Sequence, residues 1–553
     1  MARNLRVWLA GFGAGLVPLA GTAFAAETLL DPPPTPLPLA PAVKGARPKS
    51  DASVLAPAAT KLDPALQRLA APASLALPNK PEQVRIVELR PLSLKDVENL
   101  AEVNNPNLKA IASQVDQAQS NLRAQIASWY PTLTVSGGSF PAYTGGQQYN
   151  KVPNTPTADD FTTTSRWSMA TNLTAQWSLI NPRRVPQVAA ARDEFEKAKN
   201  QYLISLRELR LQAAQAYFQL QLSDDSVRIG QDSVRASLVS LRDARARFQA
   251  GVATKLEVLE AETQLARDQQ LLTNALADQS IARRDLARLL DLPQNITPTA
   301  KEPLRPLGIW TPSLQESVVA AYAFREELDN ALLDISVANS NANSALGNVQ
   351  PVLNIFNTLL AGRFNGTQQV IVDLPGTEGW NVDNSVGLSF SWNIFDGGAA
   401  RAQYRQSKQR AQENAFRFAD TRDQVRFQVE QSFYQLRQAN RNIQTTSREV
   451  LSSRESLRLA RLRFQAGVST QREVVDNQRD LTQAEVRYAN ALATYNINLA
   501  QLRRRTGLDQ VAVCQGTSLP ATKPVNAEVE TVPVPPEPLQ PACQAAAAPI
   551  SGS

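Results

Sequence analysis

The sequence predicts a mainly α protein with a small β part: long coiled-coil helices joined to a transmembrane β-barrel that several chains must share. Three observations carry this. The hexapeptide Arg-Phe-Gln-Ala-Gly-Val stands at Arg247–Val252 and again, 216 residues on, at Arg463–Val468. The match extends to Thr254 and Thr470, Glu257 and Glu473, and Leu265 and Leu481, so the chain is an internal duplication. Apolar residues recur every seven positions before each hexapeptide, as in Leu206, Ala213, Leu220, Val227, Val234, Leu241 and Phe248, which is the coiled-coil period. Each half also carries strict apolar–polar alternation that runs into a tryptophan, the pattern of a half-exposed strand.

In chain order, residues 1–25 read as a secretory signal peptide. Arg3 and Arg6 precede the apolar run Val7–Ala20, and Ala23-Phe24-Ala25 fits a small-x-small cleavage site. No cysteine follows to take a lipid, and no later segment is apolar enough for a transmembrane helix. Residues 26–91 form a Pro/Ala-rich leader, expected to be disordered or extended. The helix of the first repeat, 92–128, starts at Leu94 behind a Ser93 N-cap, and Asn105-Pro106 is expected to break or kink it.

Residues 129–180 hold barrel strands 1 and 2. Thr132–Ser136 is the first, and a polar loop is expected from Gly137 to about Ser165. In the second, Trp167, Met169, Thr171, Leu173, Ala175, Trp177 and Leu179 share one face. Residues 181–290 are helical hairpin 1, with Asn181 placed as an N-cap. A Pro-rich mid-height connector (291–313) and the helix of the second repeat (314–346) follow. Barrel strands 3 and 4 (347–396) come next, with Val386, Leu388, Phe390, Trp392 and Ile394 on one face. Helical hairpin 2 (397–506) is entered through Asp396-Gly397-Gly398, and 507–553 is a C-terminal tail.

Length gives the architecture. Arg183–Ala250 is a helix of about 100 Å at 1.5 Å per residue, whereas the returning Thr254–Leu290 reaches about 55 Å. Leu314–Ala345 fills the remaining height in one half and Leu94–Ala127 in the other. The connector and the two terminal segments must therefore meet near mid-height. Gly251 and Gly467 end the long helices, Thr254 and Thr470 are N-caps, and Glu257 and Glu473 complete capping boxes. Each hexapeptide is thus a hairpin tip, and two near-identical tips suggest a surface that something recognises. Four strands cannot close a barrel, and open edges cannot face lipid, so copies must combine: two would give eight strands and three would give twelve.

Composition removes other classes. The chain has no histidine, which excludes His-based acid–base catalysis, Ser-His-Asp triads and His metal sites. Its only cysteines, Cys514 and Cys543, have no metal-ligand spacing, and no cofactor is expected. The net charge of +6 arises from 57 basic and 51 acidic residues, many of them interleaved on helices. That describes a solvated coiled-coil surface and not a nucleic-acid interface.

The chain resembles the TolC-like outer-membrane efflux protein family. The residues that carry the likeness are the duplicated Phe-x-x-Gly-Val-x-Thr-x-x-Glu-Val tips (Phe248–Val258 and Phe464–Val474), Trp129-Tyr130-Pro131-Thr132-Leu133, and Trp392–Gly398. They span roughly residues 90–510. The resemblance implies a homotrimer with a twelve-stranded outer-membrane barrel continuous with a twelve-helix periplasmic tunnel. It implies a passive exit duct fed by a periplasmic adaptor and an inner-membrane transporter, with no enzymatic activity. Adaptor docking would fall on Phe248, Gly251, Val252 and Thr254 and on Phe464, Gly467, Val468, Ser469 and Thr470. The pore constriction would fall on Glu473 and Asp476, and Trp177 and Trp392 would sit at the outer-membrane lipid interface. Phe464 and Ser469 stand where the family's closed-tip lock has a tyrosine and an arginine, so any lock here is built differently. Cys514 and Cys543 have the choice of pairing in an oxidising periplasm or of remaining free or intermolecular thiols. Two rival readings are a periplasmic coiled-coil adaptor and a secreted scaffold; two hairpins with four strands oppose the first, and Trp-bearing strands after a signal peptide oppose the second.

Overall fold

A computed structural model describes residues 58–149, 161–368, 377–512 and 541–547. In chain order these form β1 (Glu88–Leu92), α1 (Leu94–Asn104), α2 (Pro106–Ile126), β2 (Thr132–Tyr149), β3 (Phe161–Ile180), α3 (Arg184–Gln249), α4 (Lys255–Leu289), β4 (Ile296–Ala300) and β5 (Ile309–Trp310). The second repeat follows as α5 (Leu314–Phe324), α6 (Glu326–Leu346), β6 (Val352–Gln368), β7 (Thr377–Ser391), α7 (Ala399–Gln465), α8 (Gln471–Thr506), β8 (Val511–Ala512) and α9 (Pro541–Ala547). Residues 1–25, read from sequence as a secretory signal, and Cys514 lie outside the described residues. Among the described residues no helix is long and apolar enough to cross a membrane.

The duplication is visible in the helices. α3 has 66 residues and α7 has 67, while their return helices α4 and α8 have 35 and 36. Asn105 ends α1 and caps α2, its side chain accepting from the Leu108 N–H at 3.1 Å, so Pro106 divides the helix instead of bending it. Asp396 accepts from the N–H groups of Gly398 (2.9 Å) and Ala400 (2.7 Å) at the start of α7. These bonds hold its carboxyl below the usual range. Asn181 sits further back than expected: its side chain bonds the Arg183 N–H at 3.2 Å, and the helix begins at Arg184.

The strands outrun the sequence-based reading. The expected loop after Gly137 is strand through Tyr149, and its partner starts at Phe161. Antiparallel pairing supplies the backbone bonds that Gly- and Thr-rich sequence does not advertise. Phe140-Pro141 falls in a register shift on β2, which is an edge strand and so tolerates a residue without an N–H. The sheet order is β2-β3-β6-β7, with both outer edges open. One face carries rows such as Trp177, Ile355 and Leu388, and the other rows such as Thr134, Thr174, Thr358 and Ser385. The apolar face is solvent-exposed in the single chain.

At mid-height the connector meets both terminal segments. β1 runs parallel to β4, and β8 pairs antiparallel with β5. Residues 58–92 are not a loose leader. Leu66 and Leu69 are buried against α1 and α3, and the Asn104 side chain bonds the strap backbone at Leu69 O (2.8 Å) and Ala71 N–H (3.2 Å). Two apolar residues three apart and a borrowed amide anchor a segment that makes few backbone bonds of its own. Each repeat has its own core here, one around Leu100, Phe218 and Leu286, the other around Val429, Tyr495 and Leu499.

Candidate functional site

The tips form by the same local chemistry twice. Gly251 and Gly467 both take φ of 74°, a left-handed conformation open to glycine. The N–H groups of Gly251 and Val252 donate to Phe248 O and Arg247 O, each at 3.0 Å, and Gly467 and Val468 repeat this with Phe464 and Arg463 at 3.0 Å. This is a Schellman ending, which satisfies the last helical carbonyls. Nothing lies within 4 Å of where a Cβ would stand on either glycine, so backbone conformation and not crowding selects the residue. Val252 and Val468 project into solvent at 66% and 68% exposure.

Beyond the glycines the copies part. Thr254 accepts from the Glu257 N–H, and the Glu257 carboxylate accepts from the Thr254 N–H, both at 3.4 Å. Thr470 makes no side-chain cap, which corrects the expectation of twin capping boxes. Its glutamate, Glu473, is paired instead with Arg463 at 2.8 Å. Asp476 likewise meets Arg479 at 3.1 Å. The two constriction candidates thus each have an arginine on their own hairpin.

Arg247, the twin of Arg463, instead crosses to the other hairpin. Its guanidinium lies 4.3 Å from the centre of the Phe464 ring and donates to Phe464 O at 3.5 Å. Above it on α3, at seven-residue steps, Ser240 accepts from the Gln471 side chain and Ser233 meets Thr482 at 3.2 Å. The seam between hairpins is therefore polar. The core within each hairpin is apolar: Leu241, Ala244 and Ala261 in one, Leu457, Ala460, Val474 and Leu481 in the other. A cleft of about 690 Å³ opens along the seam, lined by Ser240, Arg247, Gln264, Phe464 and Gln471. Sequence reading singled out Phe464 and the glycines but assigned Arg247, Ser240 and Ser233 no role. The available signal was a polar residue recurring at heptad spacing among apolar ones.

Trp177 and Trp392 occupy matching places at the sheet–helix junctions. Trp177 Nε1–H donates to Trp129 O at 2.9 Å, and Trp392 Nε1–H to Val349 O at 3.0 Å, each tying the end of one strand to the entry of another. Arg184 stacks on Trp129 at 4.6 Å and donates to Ser178 O at 2.6 Å.

Comparison with known proteins decides the family. The outer membrane efflux protein model matches residues 97–291 and 319–508, one stretch in each repeat. The chain belongs to this family. It is similar to outer membrane protein TolC of Vibrio cholerae, 20% identical over 75% of this chain and 90% of that one. It is also similar to alkaline protease secretion protein AprF of Pseudomonas aeruginosa, 21% identical over 75% of this chain and 85% of that one. Among solved structures, the outer-membrane channel OprN matches with a TM-score of 0.61 at 19% identity, covering 84% of this chain and 99% of that one. Family membership makes the chain an outer-membrane efflux duct with a long periplasmic helical part, and not an enzyme. Channels of the family are homotrimers that work with adaptor proteins and inner-membrane transporters.

Proposed function

We propose that three copies of this chain close a twelve-stranded outer-membrane barrel and a twelve-helix tunnel. The assembly conducts cargo passively outward from a periplasmic adaptor and an inner-membrane transporter. The observation that carries this is the four-stranded sheet: it is apolar on one face, polar on the other, unpaired at β2 and β7, and runs directly into two long helices. Unpaired edges in hydrocarbon cost several kcal/mol per polar group, and only neighbouring copies can pair them. The polar face then lines the lumen.

Within that assembly the tips at Phe248–Thr254 and Phe464–Thr470 dock the adaptor, and Glu473 and Asp476 line the narrowest part of the pore. Trp177 and Trp392 mark the periplasmic membrane boundary. An upper aromatic belt accompanies them: Trp167 stands ten residues from Trp177 on β3 and packs against Tyr143 with ring centres 5.2 Å apart. Ten residues span about 33 Å along a strand, which a barrel tilt reduces to about the 25 Å of an outer-membrane apolar band. Among the relatives, AprF is named for alkaline protease secretion and OpmQ for pyoverdine export. Native mass spectrometry of the detergent-purified protein tests the assembly. A trimer that forms channels in planar bilayers is expected; a monomer or dimer with full conductance overturns it.

A further inference from the structure

We propose, on the reading that the polar face of the sheet lines the lumen of a trimeric barrel, that Gly379 and Gly387 hold the bore open. Each gives a phenylalanine of β6 a place against the wall. By register, the glycines of β6 and β7 (Gly362, Gly366, Gly379 and Gly387) all fall on the polar face. Glycine weakens a strand interior, so its confinement to one face needs a cause. The cause lies opposite. Both phenylalanines on the polar face of β6 pair with a glycine, Phe356 with Gly387 and Phe364 with Gly379. A Cβ on Gly379 would stand 2.5 Å from Phe364 Cζ, and one on Gly387 would stand 3.0 Å from Phe356 Cζ. In both pairs the nearest atoms are Cζ and the two Cε atoms, so the far edge of the ring occupies the place of the missing side chain. Each ring therefore lies along the wall toward β7. Gly362 repeats the arrangement in reverse, with Asn381 Oδ1 of β7 lying 2.5 Å from its Cβ position.

The rings have nowhere else to lie along the wall. On the β3 side Phe364 pairs with Ser168, and the Arg166 guanidinium sits 5.1 Å from the centre of its ring. Phe356 meets Gln176 on that same side. Non-bonded carbons pack best at about 3.5–4.0 Å, so a methyl group on either glycine expels the ring edge from its hollow. With β3 side chains on the other flank, an expelled ring turns into the lumen. The two pairs stand at different heights. Phe364 shares its row with Ser168, next to the upper belt at Trp167, and Phe356 shares its row with Gln176, next to Trp177. Three copies thus place three flattened rings near each end of the bore. The width available to cargo there is set by the residue opposite each aromatic, not by the aromatic itself.

The test uses the purified trimer in planar bilayers, with polyethylene glycols of graded size added on the outer side. The largest polymer that still lowers the conductance reports the width of the outer mouth, whatever the state of the tips. Gly379→Ala should lower that cut-off by at least one step of the series, and adding Phe364→Ala to it should restore the wild-type value. Phe364→Ala alone should leave the cut-off where it is, because the ring already lies against the wall. Native mass spectrometry checks that each variant is a trimer; if Gly379→Ala does not assemble, Phe364→Ala carries the test by itself. A wider cut-off in Phe364→Ala, an unchanged one in assembled Gly379→Ala, or a narrowing that Phe364→Ala does not relieve overturns the proposal. A wild-type protein that is no trimer or passes no current would instead overturn the duct reading on which it rests.

Discussion

At the residue scale, the duplicated tip arginines show how identical side chains acquire different work. Arg463 has Glu473 within reach on its own hairpin. Arg247 has no such partner, because Glu257 is engaged by the Thr254 cap, and it reaches across to Phe464. Arg247→Ala should loosen the two tips: spin labels at Val252 and Val468 should report a broader distance distribution than in the wild type, and an unchanged distribution would remove the tether from the account. The proposed constriction at Glu473 and Asp476 follows the same electrostatics. Rings of carboxylate favour cations, but Arg463 on α7 and Arg479 on α8 offset them here. Single-channel recording should show modest cation selectivity and block by a trivalent cation from the tip side. Glu473→Gln with Asp476→Asn should weaken both, and Arg463→Gln should strengthen selectivity. Unaltered selectivity in all variants would put the narrow point elsewhere.

At the element scale, hairpins behave as units because their apolar cores lie inside each pair and their shared seam is polar. The tips of those units are the proposed docking surface. Gly251→Trp or Gly467→Trp should abolish export while the trimer stays in the membrane, with a local strain of about 1–3 kcal/mol at the left-handed position. Normal export in both variants would rule the tips out as the adaptor site. The strand ends make a separate claim. Trp177 and Trp392 should be quenched most by lipid-attached probes near the headgroups, as interfacial aromatics are. Quenching confined to bilayer-centre probes would contradict it.

At the scale of the whole molecule, the waist joins the two repeats through charge as well as apolar packing. Arg207 of α3 pairs with Glu326 at 2.6 Å, and Arg504 of α8 pairs with Glu327 at 2.8 Å and Glu208 at 3.3 Å. Burial alone would raise the Glu327 carboxyl, but Arg325 and Arg504 outweigh it and hold its pKa at about 2. Glu326 goes the other way, pushed up by burial despite Arg207. A depressed carboxyl stabilises the fold above its unfolded pKa near 4.5, and the contribution fades as pH falls toward 2. Its size at neutral pH is about 3 kcal/mol, reduced in the net by the opposing Glu326. Glu327→Gln should lower the melting temperature at pH 7 and flatten its dependence between pH 4.5 and 2. A melting curve with the wild-type pH slope in that window would show that another group governs it.

Much of this was legible in the residues. The 216-residue repeat, the seven-residue period, Gly251 and Gly467 at helix ends, and the alternating faces around Trp177 and Trp392 follow from local periodicity, which each segment carries in itself. So did the meeting of the connector with both termini, because helix lengths at 1.5 Å per residue leave no other arrangement. What tertiary structure decided is what depends on neighbours distant in sequence. The strands extend past Gly137 because a partner strand supplies their hydrogen bonds. The leader from residue 58 is ordered because Asn104 and a buried core receive it. Glu473 meets Arg463, ten residues back across the tip, only once the hairpin is folded. Local pattern sets which elements form; only the fold sets which charge each side chain meets.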